Sequence, residues 1–467
     1  MPTLNGLRKV LDRKQWEPCN YCPNNSGANS FITSSRADGH KFFALGSTTV
    51  ALYDPNDDGW TYLPNPSMGG TFGGGSCGSA GLQGPAGTAT GGSTTTIVTN
   101  LTLPQDLRGY KVRITAGPNA GQERTILKNT LGANSVITVD QAYGTAITSS
   151  SQYALLTGRF YFFNGGTLSA TSFKYFDTAT NTWVALAVTG LPGTFGTDAK
   201  LICTDSTTQY VAATNTLSTS TNQVGTGGKA WPINAWANMQ VRIVAGTGAG
   251  QVRTIASSTG NTLTVSANWT IAVDTTSQYV IEGNDDYIYL LGNNSTAIYR
   301  YSLTSNTWTT LAPATARAAA PTNGMTANWI NGVTAPDWLD ETLPQGNGRY
   351  IYSFRGNNNT GLDIYDISLN TWTSQTYAPM NDAIGSTGCA ESIGGFIYLM
   401  LGSGGRMIKF NIAANAMEPC SQLWYSQASA ITGDRMFSHS YIDGGTRIDF
   451  LYYNTASQNM LFRMMLI

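Results

Sequence analysis

Six times along this chain an aromatic residue is followed seven positions later by Trp or Met: Tyr53 and Trp60, Phe176 and Trp183, Tyr301 and Trp308, Tyr365 and Trp372, Phe410 and Met417, Tyr453 and Met460. The intervening text is shared too: "LYDPNDDGW", "YFDTATNTW", "RYSLTSNTW", "IYDISLNTW", "KFNIAANAM", "YYNTASQNM". Asp or Asn follows the aromatic in five of the six, and Asn stands two residues before the Trp or Met in four. A polar Asp/Asn/Ser/Thr turn between β-prone stretches predicts a hairpin, with one strand ending at the aromatic and the next opening at the Trp. Upstream of most copies lies an apolar strand and a glycine turn, as in "KFFALG", "RFYFFNGG", "YIYLLGNN", "YIYSFRG" and "FIYLMLGSGG". A small sheet built this way cannot bury its own faces, whereas six packed radially can.

The order of glycines, Tyr-Asp and Asn-x-Trp resembles the kelch repeat of β-propellers. That resemblance implies an all-β, kelch-like β-propeller of about six blades, with the four tryptophans as core. Met417 and Met460 depart from the pattern by standing where Trp is usual. Successive markers are 123, 125, 64, 45 and 43 residues apart. A plain kelch unit is about 50 residues long. Two early connections therefore carry long insertions.

Those insertions hold a duplicated phrase, "VRITAGPNAGQERTI" from Val112 to Ile126 and "VRIVAGTGAGQVRTI" from Val241 to Ile255. The likeness continues to Ser-Gln-Tyr at Tyr153 and Tyr279. Each copy reads as strand, glycine turn, return strand, third strand and closing strand, a small β-barrel or sandwich. Gly246, Gly248 and Gly250 form G-x-G-x-G, but a phosphate loop must lead into a helix N-terminus, and "QVRTIASST" reads as a strand. In the other copy Pro118 interrupts the loop. The phrase is therefore expected to be a building block. The resulting map has an N-terminal docking arm (1–36), propeller parts at 37–98, 157–222 and 284–467, and two homologous inserted β-domains at 99–156 and 223–283. Gly/Ser/Thr-rich runs ("GTATGGSTTT", "STSTNQVGTGG") are expected to be tethers. The inserted unit looks like small β-domains that decorate structural proteins of tailed bacteriophages.

Only 11% of the 467 residues are charged, with 26 Lys and Arg against 27 Asp and Glu. A field this weak argues against specific nucleic-acid binding. No stretch reaches the ~18 apolar residues of a membrane span, and "MPTLNGLRKVLDRKQWEPC" has no signal-peptide core. The six cysteines (Cys19, Cys22, Cys77, Cys203, Cys389, Cys420) do not form a disulfide framework and fit reduced thiols from a reducing cytoplasm. The Cys19-x-x-Cys22 pair leaves thiols, a disulfide or a metal site open. Residues 1–36, with Arg8, Lys9, Arg13 and Lys14 among Leu7, Val10, Leu11 and Trp16, read as an arm that docks on a neighbouring subunit.

Copper-dependent galactose oxidases resemble this architecture but need two His and two Tyr ligands, and here the only histidines are His40 and His439. They fall in the first and last blades, neighbours in a closed ring. "NDDGW" (Asn56–Trp60) lacks the spacing of a sialidase Asp box and reads as a blade turn. Asp285-Asp286 and Asp337 to Glu341 read as solvated turns. No catalytic, cofactor or metal residue is assigned, and no enzyme is expected. The expected function is structural: a bacteriophage virion protein, made in the host cytoplasm. It would act in the tail (nozzle, tail tip or fibre-attachment region) by assembly with other virion proteins, as a homo-oligomeric ring or peripheral copies. A host receptor- or glycan-binding adhesin is the alternative, and a propeller enzyme comes third.

Overall fold

The computed structural model describes residues 17–19, 31–34, 37, 40–45, 49–63, 77–163, 173–191, 195, 199–204, 206, 208–292, 294–321, 325–329, 349–356, 359–376, 389–393, 395–400, 407–420, 435–443, 446–455 and 460–466. Among these residues every regular element is a β-strand, paired antiparallel throughout. Among the described residues no helix is long and apolar enough to cross a membrane.

Six sheets have four strands each. Sheet 1 comprises Phe31–Ser34, Lys41–Leu45, Thr49–Asp54 and Gly59–Tyr62; sheet 2 comprises Cys77–Gly81, Arg159–Phe163, Phe173–Asp177 and Thr182–Ala185. Sheet 3 holds Lys200–Cys203, Tyr287–Leu291, Ile298–Ser302 and Thr307–Thr310, and sheet 4 holds Thr326–Trp329, Tyr350–Phe354, Gly361–Asp366 and Thr371–Thr376. Sheet 5 is Cys389–Ile393, Phe396–Met400, Met407–Asn411 and Ala416–Pro419. Sheet 6 is Arg435–Asp443, Thr446–Thr455 and Met460–Leu466, with Glu17–Pro18 as its outer strand. This is a β-propeller-like arrangement, and its packing explains the apolar runs. In "RFYFF", Phe160 and Phe162 join Phe42 and Val50 of sheet 1, while Tyr161 and Phe163 join Leu201 and Ile288 of sheet 3. Side chains alternate across a strand, so a strand buried on both faces reads as continuously apolar. The same alternation splits Tyr289 and Leu291 from Ile288 and Leu290, and Tyr398 and Met400 from Ile397 and Leu399. Each of these clusters joins two successive sheets, and Phe43, Tyr53, Phe437 and Tyr452 join sheet 6 back to sheet 1.

The hairpin motif also has a physical cause. Asp58, Asn181, Asn306, Asn370 and Asn415, each two before the Trp or Met, have φ of 56°, 55°, 53°, 51° and 49°. Asn and Asp tolerate this left-handed region better than other non-glycine residues. The aromatic's hydroxyl, where present, fixes that residue: Tyr53 Oη donates to Asp58 Oδ1 at 2.7 Å, and Tyr365 Oη to Asn370 Oδ1 at 2.6 Å. The Asp after the aromatic accepts from turn amides, Asp366 Oδ1 from Ser368 and Leu369 at 2.9 and 3.0 Å. Aromatic and Trp or Met face each other across the hairpin in the first five units. The sixth differs: Tyr453 faces Phe462, and Met460 faces Thr455.

Both long insertions leave from the same place, the connection between the first and second strands of sheets 2 and 3. The first is continuous with its sheet. Arg159 pairs Gly81, and the ladder runs on through Gly158 N to Leu82 O (3.0 Å) and Gly84 N to Leu155 O (2.8 Å) into the module. Ala86–Thr88, which overlaps the expected tether, and Gly91–Gly92 within it are strands, so pairing begins upstream of residue 99. They lie at opposite ends of a seven-stranded order and only Ala89 and Thr90 separate them, so the sheet curls back on itself. Gly92 is required there, because a Cβ would sit 2.3 Å from Thr96 O. The second module is a six-stranded sheet that begins at Thr208–Thr214, upstream of residue 223, and repeats the first one's registers and bulges. Its core gathers Trp231, Trp236, Trp269, Tyr279 and Ile281; that of the first gathers Ile97, Ile114, Tyr153 and Leu155.

Two segments of the expected docking arm pair with the chain's own strands. Within 1–36, Glu17–Pro18 pairs with the chain's own Arg463 and Phe462, and Phe31–Ser34 pairs with Lys41–Ala44. An outer strand taken from the opposite end of the chain completes sheet 6. Residues 1–16 and 20–30 lie outside the described residues.

Candidate functional site

The glycine turns are the first place to look for chemistry. Gly117, Gly121, Gly246, Gly248 and Gly250 have φ between 74° and 90°, so the spacing serves the backbone. Several of the amides are spent internally. Gly121 N donates to Ile114 O and Gly250 N to Ile243 O, both at 2.7 Å, and Gln251 N donates to Gly248 O at 3.2 Å. The space is filled as well: a Cβ on Gly246 would lie 1.9 Å from Thr276 O, and one on Gly117 would lie 2.6 Å from Ser150 O. An anion nest needs converging amides that are open to a ligand. The amides of Gly121, Gly250 and Gln251 are not open in this way. Arg124 and Arg253 of the phrase pin the closing loop of their own module, donating to Gln141 O and Asn268 O and stacking over Tyr143 and Trp269. Gln251 holds the Ile271 backbone in one module, and Asn119 holds Thr145, the matching residue, in the other.

The second place is the seam between sheets 6 and 1, where the structure brings His40 and His439 together. His40 Nε2 lies 3.3 Å from Asp54 Oδ2, and His439 Nε2 lies 3.2 Å from Asn56 Oδ1. Asp54 Oδ1 accepts from the Asn56 backbone at 2.8 Å and from Asn56 Nδ2 at 3.1 Å, which links the two pairs. Lys41 is buried beside them with Nζ over the Phe437 ring. Burial, then Lys41 and His40, hold the His439 pKa down at about 4 against the pull of Asp54. Among the described residues no three His, Cys, Asp or Glu side chains gather to hold a metal ion.

A pH dependence follows. A histidine whose folded pKa is depressed favours the folded chain when neutral, so its contribution is complete above the unfolded value of about 6.5. That contribution falls away as pH drops from there toward about 4. The thermal midpoint is expected to fall between pH 7 and 4.5, and His439→Gln should flatten that part of the curve. An unchanged slope in the variant would assign the loss to other groups.

The remaining candidates are architectural. Asp58 of "NDDGW" is the left-handed turn residue described above. Asp285 and Asp286 are not solvated turns: Asp285 is buried, and Asp286 accepts from Ser302 Oγ and Thr304 N at 2.7 Å each. Cys77 and Cys203 share one apolar cluster between sheets 2 and 3, and burial pushes the Cys77 thiol up to about 12. Cys22, Cys389's side chain and Asp337 to Glu341 lie outside what is described.

No protein-family model matches the chain, and no curated protein does. Among solved structures, a chain of the "Crystal Structure of Mitotic Checkpoint Complex" is 8% identical at a TM-score of 0.36, over 96% of this chain and 90% of that one. YjhT is 11% identical at 0.30, over 63% of this chain and 68% of its own. A protein from Bacteroides thetaiotaomicron is 11% identical at 0.25, over 78% and 66%. Scores of this size say nothing of ligand, partner or activity.

Proposed function

We propose that the chain is a six-bladed, kelch-like propeller with two inserted copies of one β-module, and that it is a structural component of a tailed-bacteriophage virion, placed in the tail. The blade count is supported by the cycle of apolar clusters, in which each four-stranded sheet packs on the next and the sixth on the first. The structural role is supported above all by how the duplicated phrase is used. Its positive-φ glycines shape the turns, and Gln251, Arg124 and Arg253 close the module that carries them. The uncharged Thr/Asn/Gly composition fits contacts held by shape and hydrogen bonds. The resemblance of the module to phage decoration domains points to the particle.

Mass spectrometry of purified particles from the phage that encodes the chain tests this: the protein is expected at a stoichiometry set by a ring or by peripheral copies. Absence from washed particles ends the reading. The adhesin alternative draws on apolar side chains that the modules expose, Leu127 and Leu131 on the first and Ile233 and Ile271 on the second. Saturable binding of the purified chain to host cells, abolished by substitutions at those four positions, would favour it.

A further inference from the structure

We infer that the two modules are docked on each other as an intramolecular pair clasped by Arg242, so that they present their loops as one body and not as two independent arms. The inference holds whichever partner the protein meets. It begins with the route of the chain: both modules replace the same connection in adjacent sheets, so they start side by side. Their glycine turns then meet. A Cβ built on Gly250 would lie 2.2 Å from Ala120 Cβ and 2.4 Å from its carbonyl carbon. One built on Gly121 would lie 2.9 Å from Gly250 Cα. Gly121 and Gly250 are matching residues of the duplicated phrase, so the two copies touch through the same turn.

The clasp arises from divergence between the copies. In the first module Arg113 faces Glu123 across its own hairpin and binds it at 2.5 Å. In the second, Val252 faces Arg242, and the hairpin no longer holds the arginine. An acid has been placed elsewhere: Glu282 stands where the first module has Leu156. Arg242 Nη2 and Nε hold Glu282 at 2.5 and 3.1 Å, and Nη1 donates to Gly121 O of the other module at 3.0 Å. The Glu282 side chain is 2% exposed and that of Arg242 12%, so the contact lies out of water. Charge crosses the boundary too. Burial acts to raise the Glu123 carboxyl, but Arg113 beside it and Arg242 from the opposite module hold it below the usual range.

The test compares substitutions at positive-φ glycines in the full chain and reads the module that was not changed. Gly250→Ala places a Cβ against Ala120. Gly228→Ala pays a similar backbone strain (φ +80° against +90°) with nothing within 4 Å of the new atom. Hydrogen exchange of residues 114–123, in the first module, is expected to accelerate on the order of tenfold in Gly250→Ala and to stay at the wild-type rate in Gly228→Ala. Arg242→Gln, which keeps the turn, should move the same peptides in the same direction by less, and it stands alone if Gly250→Ala does not fold. Wild-type exchange there in both Gly250→Ala and Arg242→Gln overturns the docked pair. So does an equal acceleration in Gly228→Ala, which would assign the effect to strain.

Discussion

Asp363→Asn is expected to cost about 3–5 kcal/mol of stability, the range found when one partner of a buried ion pair is removed. Asp363 is fully buried on the third strand of sheet 4 and sits between two arginines. Arg317 Nε donates to Oδ2 at 2.6 Å, Arg355 Nη2 to Oδ1 at 2.6 Å, and Ser374 Oγ to Oδ1 at 2.7 Å. The Arg317 side chain is 1% exposed, and Nη2 also reaches Ser353 Oγ at 2.6 Å. Neutralising the carboxylate leaves a buried guanidinium facing an amide and a second guanidinium beside it. Burial works to raise the Asp363 carboxyl, and the hydrogen bonds and charges of Arg355 and Arg317 outweigh it, so its pKa lies below the ordinary value. A depressed carboxylate stabilises the fold above its unfolded pKa of about 3.9 and loses that contribution as pH falls through the folded value. The cluster therefore tightens the fold at neutral pH and fails only in strong acid. Urea unfolding of Asp363→Asn beside Ser374→Ala checks it, because the latter removes one hydrogen bond worth about 1 kcal/mol. Equal midpoints for the two variants would show that the charge contributes nothing beyond that bond.

Much of the fold was legible because the chain says the same thing several times. One Tyr-Asp-x-x-x-Asn-x-Trp hairpin is a weak signal, but its return at fixed spacing identifies a unit, and the left-handed Asn shows why the spacing is rigid. What the sequence hid is pairing between distant segments. Nothing local marks Glu17–Pro18 as the outer strand beside Met460–Leu466, because two residues carry no periodicity. Likewise "GTATGG" has the composition of a linker, yet Gly92 is there because the curled sheet leaves no room for a Cβ against Thr96 O. In the sixth unit the motif is half kept: Met460 stands where Trp is usual, and the residue that faces Tyr453 is Phe462. The histidine seam was foreseen only as an adjacency of first and last blades. Which groups meet there depends on the packing of sheet 6 on sheet 1, which no short window contains.

Trp308→Ala and Trp372→Ala should each cost about 3–5 kcal/mol, while Trp60→Ala and Trp183→Ala should cost clearly less. The sequence treats the four as equivalent, and the structure does not. Trp308 is 5% exposed and Trp372 2%, whereas Trp60 and Trp183 are only half-buried. Trp308 packs within 5.8 Å of the Phe163, Phe173 and Tyr301 rings, so its removal opens a cavity between sheets 2 and 3. Its Nε1 also donates to Ala187 O at 3.2 Å, tying the strand end of sheet 2 to sheet 3. Trp372 fills the seam between sheets 3 and 4 with Tyr289, Leu291 and Met325, and its ring lies 4.9 Å from the Arg317 guanidinium. Losing it admits water to the Asp363 cluster, so Trp372→Ala and Asp363→Asn should be less than additive when combined. Trp183 touches Phe42, Phe162 and Phe176 from the rim, where collapse of neighbours and solvent contact soften the loss. Thermal and urea midpoints of the four single variants and the one double give the ranking directly. If Trp60→Ala or Trp183→Ala falls as far as Trp372→Ala, the rim packs as tightly as the seams, and the assigned burial is wrong.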